Sequence, residues 1–153
     1  MTSYPWRATG QLSFSIAGRP FVCSGSMIMP GLLVTAAHCV FEYGAGSDAG
    51  FHTDLVFVPA RFDGTAPYGS WTALTERVPT AYYDGTDTCT TRGVVCSNDV
   101  AIVTMAPDAR GRLPGAVLGW YGYGWDGWNR VDYHERRKAG WPIVRRSMLG
   151  AAR

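Results

Sequence analysis

The chain has 153 residues, the size of one ordinary domain, and 46% of them are hydrophobic, enough for a buried core. Its Gly 19, Pro 9 and 13% aromatic content, with one lysine against thirteen arginines, favour a turn-rich β protein over helices. A formal net charge of +2 gives no ground for a nucleic-acid partner, and no apolar run approaches transmembrane length, so neither partner is expected.

Residues 1–9 read as an irregular lead-in punctuated by Pro5. Leu12-Ser13-Phe14-Ser15-Ile16 alternates apolar and polar with a period of two, as a half-buried strand does. Ala17-Gly18 fits a tight turn, and Phe21-Val22-Cys23 resumes the alternation in a second strand continued by Ser26-Met27-Ile28. Met29-Pro30-Gly31 breaks the pattern, and residues 32–35 form an apolar third strand. A short helical turn carrying His38 is expected over residues 36–40, and a loop over residues 44–50. Leu55-Val56-Phe57-Val58 is the fourth strand, stopped by Pro59, and Trp71-Thr72-Ala73-Leu74 the fifth. Residues 84–98 are polar and read as a surface excursion, after which residues 100–105 form the sixth strand. Six short strands at this spacing suit a small closed antiparallel barrel, so the expected fold is all-β.

Gly119-Trp120-Tyr121-Gly122-Tyr123-Gly124-Trp125-Asp126-Gly127-Trp128 is the most biased stretch. It reads as a connecting segment whose aromatics pack across a domain boundary and whose glycines permit close turns; a sugar-stacking row is the alternative. Residues 1–130 carry eight basic and ten acidic side chains, whereas residues 131–153 carry six and two, so the positive balance lies entirely in the final segment. With Arg136-Arg137-Lys138, Arg145-Arg146 and little strand periodicity, that segment is expected to be an atypical basic tail, solvated or disordered.

Four cysteines allow three pairings; Cys23 with Cys39 and Cys89 with Cys96 are preferred because each pair closes a loop. No pair shows Cys-x-x-Cys spacing and the three histidines are scattered, so no metal or cofactor is expected. Disulfides imply an exported protein. Met1-Thr2-Ser3-Tyr4-Pro5 has neither the charged start nor the apolar run of a signal peptide, so the chain is expected to begin after its export signal.

The stretch Val34-Thr35-Ala36-Ala37-His38-Cys39 places an imidazole at the end of a buried strand, beside a cysteine. Sixteen residues before Cys39, Cys23-Ser24-Gly25-Ser26 supplies a second cysteine followed by a glycine. Sixty-one residues after His38, Asn98-Asp99-Val100-Ala101-Ile102-Val103 sets a carboxylate at the mouth of an apolar run. An imidazole has the basicity to take a proton near neutral pH, and a buried carboxylate on its other nitrogen holds one tautomer. These three stretches, in this order, resemble the trypsin/chymotrypsin-like serine proteases. Phe21-Val22-Cys23-Ser24-Gly25-Ser26, Phe57-Val58-Pro59-Ala60, Ala66-Pro67-Tyr68-Gly69-Ser70-Trp71 and Gly119-Trp120-Tyr121-Gly122-Tyr123-Gly124 resemble the glutamyl-endopeptidase-like bacterial and fungal branch. The likeness runs over residues 10–128.

The resemblance implies two six-stranded barrels with a triad in the cleft between them. This chain would supply the first barrel over residues 10–118 and the connection to the second over residues 119–130. His38 would be the general base, Asp99 its orienting partner and Cys23–Cys39 the disulfide beside the histidine. The activity would be serine-type endopeptidase action on polypeptides outside the cell. His52 and His134 lack such context and are given no role.

One departure is large. The family's nucleophile lies in a Gly-Asp-Ser-Gly-Gly element that does not occur here. Gly46-Ser47-Asp48-Ala49-Gly50 lies between His38 and Asp99, and Ser147 lies downstream without flanking glycines. The second barrel is therefore expected to be missing and the chain inactive alone. A truncated or frameshifted reading of a longer gene would explain the change of character after Arg130; a non-catalytic protease-like binding module is the alternative. A lone half should expose an apolar face, with Trp120, Tyr121, Tyr123, Trp125 and Trp128 as its candidates, and self-associate through it.

Overall fold

The computed structural model describes residues 2–122 and the strand at residues 133–137. Strands β1 (Thr9–Ile16) and β2 (Arg19–Met29) form a hairpin whose turn residues Ala17 and Gly18 both have positive φ, 49° and 77°. That backbone matches the twist of the strands it joins. Next come β3 (Leu32–Thr35), β4 (Thr53–Pro59), β5 (Trp71–Pro79), the small hairpin of β6 (Cys89–Thr91) and β7 (Val95–Cys96), and β8 (Ala101–Met105). Antiparallel pairing runs β1-β2-β3-β8-β5-β4 and returns to β1, so six strands close into a barrel. The six are the strands expected from the spacing of apolar runs.

Alternation along the strands fills the barrel. Leu12 and Phe14 of β1, Met27 of β2, Leu33 of β3, Leu55 and Phe57 of β4, Trp71 and Ala73 of β5, and Ala101, Val103 and Met105 of β8 are buried. Each large apolar side chain so removed from water contributes about 1.5–3 kcal/mol before entropy is counted. At one barrel corner the backbones nearly touch. A Cβ on Gly10 would lie 2.3 Å from the Val58 carbonyl oxygen and 2.5 Å from Pro59 Cα, so only glycine lets β1 cross β4 there.

Helix α1 (Thr80–Tyr83) follows β5 and buries Tyr82, the largest fully enclosed side chain among the described residues. Helix α2 (Pro114–Leu118) follows β8 and seats Leu118 in the core. The N-terminal segment meets the segment around α2 here: Arg7 Nε donates to the Leu118 carbonyl at 2.8 Å, the Tyr121 amide to the Met27 carbonyl at 2.8 Å and the Tyr121 hydroxyl to the Pro5 carbonyl at 3.0 Å. Trp120 is 44% exposed, whereas Tyr121 packs against the core. The other exposed large apolar side chains include Trp6, Val22 and Phe62. Tyr123, Trp125 and Trp128, and with them most of the expected connection, lie outside the described residues, as does Ser147.

Within the arginine-rich segment, β9 (Tyr133–Arg137) pairs with Thr75–Pro79 of β5 by backbone, on the edge that β4 leaves after Thr72. The register sets Arg136 opposite Glu76 and Glu135 opposite Arg77. The remainder of residues 123–153, where the basic tail is expected, lies outside the described residues.

Candidate active site

The meeting of His38 and Asp99 follows from strand register. In the β3–β8 ladder Thr35 faces Ala101, so the chain leaving β3 and the chain entering β8 run side by side at one end of the barrel. Thr35 also donates its hydroxyl to the Ser24 carbonyl at 2.8 Å, fixing the end of β3 on β2. Ala36 stays extended, and Ala37–Cys39 then make one tight 3-10 turn. Ala37 and Cys39 are buried on either side of His38, and Cys39 is bonded to Cys23 of β2. Small neighbours and a cross-link thus hold the histidine backbone while its side chain stays 38% exposed.

Asp99 meets this turn with both carboxylate oxygens. Oδ1 accepts the His38 backbone N–H at 3.0 Å and Oδ2 accepts from His38 Nδ1 at 2.7 Å. A carboxylate can only accept, so Nδ1 carries a proton, and the neutral form of the ring has its lone pair on Nε2. Among the described residues no hydroxyl is hydrogen-bonded to the His38 ring. An imidazole fixed in this tautomer can take a proton at Nε2, and the adjacent carboxylate stabilises the imidazolium that results.

The polar excursion of residues 84–98 is firmly attached to the barrel. The Tyr43 hydroxyl is shared between the carbonyls of Gly85 and Asp87, at 2.8 and 2.9 Å. The buried Tyr82 hydroxyl donates to the Gly93 carbonyl, and its ring meets that of Tyr43 edge-on at 5.1 Å. Burial, and after it the negative charge of Asp99, holds the Tyr82 phenol far above its ordinary pKa, so it remains a donor. Cys89 and Cys96 are joined across the β6–β7 hairpin.

His52, which no motif singles out, lies beside the site. The isolated bridge Phe41↔Phe51 brings it level with Val40, whose carbonyl accepts the His52 amide at 2.9 Å. Its ring is buried, stacked on Phe14 at 5.2 Å, and Nε2 donates to the His38 carbonyl at 3.2 Å. No local spacing signals this contact, because it depends on a bridge between two loops. His134 lies in β9, where only the backbone is described. A groove of about 610 Å³ adjoins His38, lined by Ile16, Phe41, Tyr43, His52 and Arg92 among others.

Among the described residues two clusters hold metal-ligand side chains close together, Cys23 with His38 and Cys39, and Asp87 with Cys89 and Cys96. In each, the two sulfurs are joined as a disulfide and are not thiolates, so neither donor set fits a metal ion.

No family model matches the chain. It is 32% identical over 124 residues to a protein of Bacillus subtilis (strain 168) named extracellular metalloprotease, covering 80% of this chain and 34% of that protein. It is 36% identical over 84 residues to the glutamyl endopeptidase of Bacillus licheniformis, covering 55% and 24%. The disulfide-locked sulfurs give no support to extending the metal in the first of these names to this chain. Among solved structures, the protease Anisep from Arthrobacter nicotinovorans superposes with a TM-score of 0.67 at 29% identity, over 82% of this chain and 53% of that one. The thermostable serine protease AL20 from an extremophilic microorganism gives 0.60 at 26%, over 74% and 49%. A Glu endopeptidase gives 0.56 at 21% over 76% and 45%, a likeness of fold alone. The chain thus spans about a quarter to a third of the two sequence relatives and about half of each solved chain. In sequence and in barrel architecture the chain resembles trypsin-like serine proteases, the glutamyl endopeptidase of Bacillus licheniformis among its sequence relatives, over about half the length of the solved chains.

Proposed function

We propose that the chain supplies the base half of a serine endopeptidase, with His38 as general base and Asp99 as its orienting partner. The observation that carries this reading is the two-point hydrogen bonding of Asp99 to the amide and the ring of His38. In a completed site a serine hydroxyl would pass its proton to His38 Nε2 as its oxygen attacks a peptide carbonyl. The imidazolium would then give that proton to the departing amine. The nucleophile and the donors for the developing oxyanion would come from a second barrel, so the isolated chain is expected not to turn over peptides. In this reading residues 119–130 lead toward that barrel and the basic residues from 131 onward depart from the family pattern. A polypeptide substrate and an extracellular setting accord with the protease relatives, one of them named extracellular, and with the two disulfides. Self-association through the exposed apolar residues would be the consequence of an uncovered face.

The test is a chimera in which residues 10–118 replace the matching half of the Anisep protease, assayed on peptide amides and labelled with a fluorophosphonate. Turnover and labelling that both collapse in His38→Ala would support the proposal. A folded chimera whose activity ignores His38→Ala would sink it. Labelling of the isolated chain would show instead that it holds a nucleophile of its own, with Ser147 the first to replace.

A further inference from the structure

The carboxylate of Asp87 sits at the stem of the loop that ends in Asp99, and it is occupied almost entirely by one neighbour of Asp99. Its Oδ2 accepts the Asn98 backbone N–H at 2.7 Å and its Oδ1 accepts the Asn98 side-chain amide at 2.8 Å. Oδ1 also accepts the Thr88 amide at 2.9 Å. Asp87 is itself anchored, its N–H donating to the Ala81 carbonyl of α1 at 3.0 Å and its carbonyl accepting from Tyr43. Beyond this stem the Cys89–Cys96 bond closes the loop, and the Ser97 amide returns to the Thr88 carbonyl at 3.0 Å. Asp99 is the first residue past the grip.

We infer that Asp87 is a positioning residue for the His38–Asp99 pair, acting through Asn98. The inference rests on the proposed base role of His38. Asp99 must place two oxygens on two donors of His38 at once, so a small rotation of the preceding peptide would break one of the two contacts. Asn98 supplies that peptide, and two hydrogen bonds from its backbone and side chain to one rigid carboxylate remove its freedom to turn. Three N–H groups converge on Asp87, one on Oδ2 and two on Oδ1. Only a carboxylate offers acceptors on both oxygens; asparagine offers one.

The test reads the His38 ring directly in the full chain, by the 15N shifts of its two ring nitrogens above the pH at which the imidazole loses its charge. The wild-type chain is expected to show the Nδ1–H tautomer, and Asp99→Asn to abolish it. Asp87→Asn, nearly isosteric, should move the ring toward the Nε2–H tautomer that an unconstrained histidine side chain prefers, Asp87→Ala further, and Asn98→Ala less. Retention of wild-type ring shifts in folded Asp87→Asn and Asp87→Ala would overturn the positioning role while leaving the His38–Asp99 pair intact. A wild-type ring without the Nδ1–H tautomer would overturn both. If Asp87→Ala fails to fold, Asp87→Asn carries the test. In the chimera Asp87→Asn should lower kcat per folded molecule, counted by circular dichroism, with KM little changed.

Discussion

Asp99 and His38 are sixty-one residues apart, yet each of the two carboxylate oxygens has its own partner on the histidine. The contact with the backbone amide fixes where the carboxylate sits, and the contact with Nδ1 fixes which nitrogen carries the proton. Asparagine at position 99 would keep the size and lose the second acceptor, so its amide could drive the ring into the wrong tautomer. In the chimera Asp99→Asn is expected to lower kcat by on the order of 10⁴-fold, the cost of that tautomer error in a serine triad, while stability changes little. His52 belongs to the same scale. Its Nε2–H satisfies the His38 carbonyl from a buried position, and phenylalanine would keep the stack on Phe14 but not the bond. His52→Phe is expected to cost about 1 kcal/mol in denaturant unfolding. No change would mean that the carbonyl finds another donor.

At the scale of elements, the barrel depends on a few places where backbone approaches backbone. Gly10→Ala would drive a methyl group into the Val58 carbonyl, and β1 cannot move away without losing its register on both β2 and β4. A loss of about 1–3 kcal/mol is expected on the scale of overpacked sites, with the circular dichroism of the folded state unchanged. The loop between β8 and α2 shows a milder device. Asp108 accepts the amides of Arg110 and Arg112 and pairs with the Arg112 guanidinium. The Arg112 backbone N–H, then its side chain, hold the Asp108 carboxyl below its ordinary 3.8. A lowered folded pKa stabilises above the unfolded value and loses that contribution as pH falls through the folded one. Asp108→Asn should therefore lower stability at neutral pH, with the gap from wild type closing as pH falls below about 4, so that the acid limb is flatter. The six barrel strands were legible because alternation along Leu12 to Ile16 and apolar runs such as Leu55 to Val58 report burial locally. The grip of Asp87 on Asn98 was not, since it joins two ends of a loop whose sequence reads only as polar.

For the molecule as a whole, the open question is what the arginine-rich segment does for the barrel. By sequence it looks foreign, with little alternation and a run of charges, and those features gave no sign of a strand. Its strand β9 nevertheless covers the edge of β5 from Thr75 to Pro79, and it places Arg136 and Glu135 at the register positions of Glu76 and Arg77. Glu76 is fully buried, a position where an acidic residue is seldom tolerated without compensation. Opposite charges at facing positions stabilise a strand pair by roughly 0.2–1 kcal/mol each, and an uncovered edge invites pairing with another chain. Ending the chain at residue 132 is therefore expected to lower stability by about 1–2 kcal/mol and to raise self-association, read by denaturant unfolding and sedimentation velocity. Reversing the charges within the full chain, Arg136→Glu with Glu76→Arg, separates the register from the bare presence of a strand. Each single change should destabilise more than the pair together. If the shortened chain is as stable and as monomeric as the whole, β9 contributes nothing, and a segment acquired by a shift of reading frame becomes the simpler account. If it is weaker, the segment has become part of the fold whatever its origin, covering an edge of β5 in a chain that spans only about half of its solved relatives.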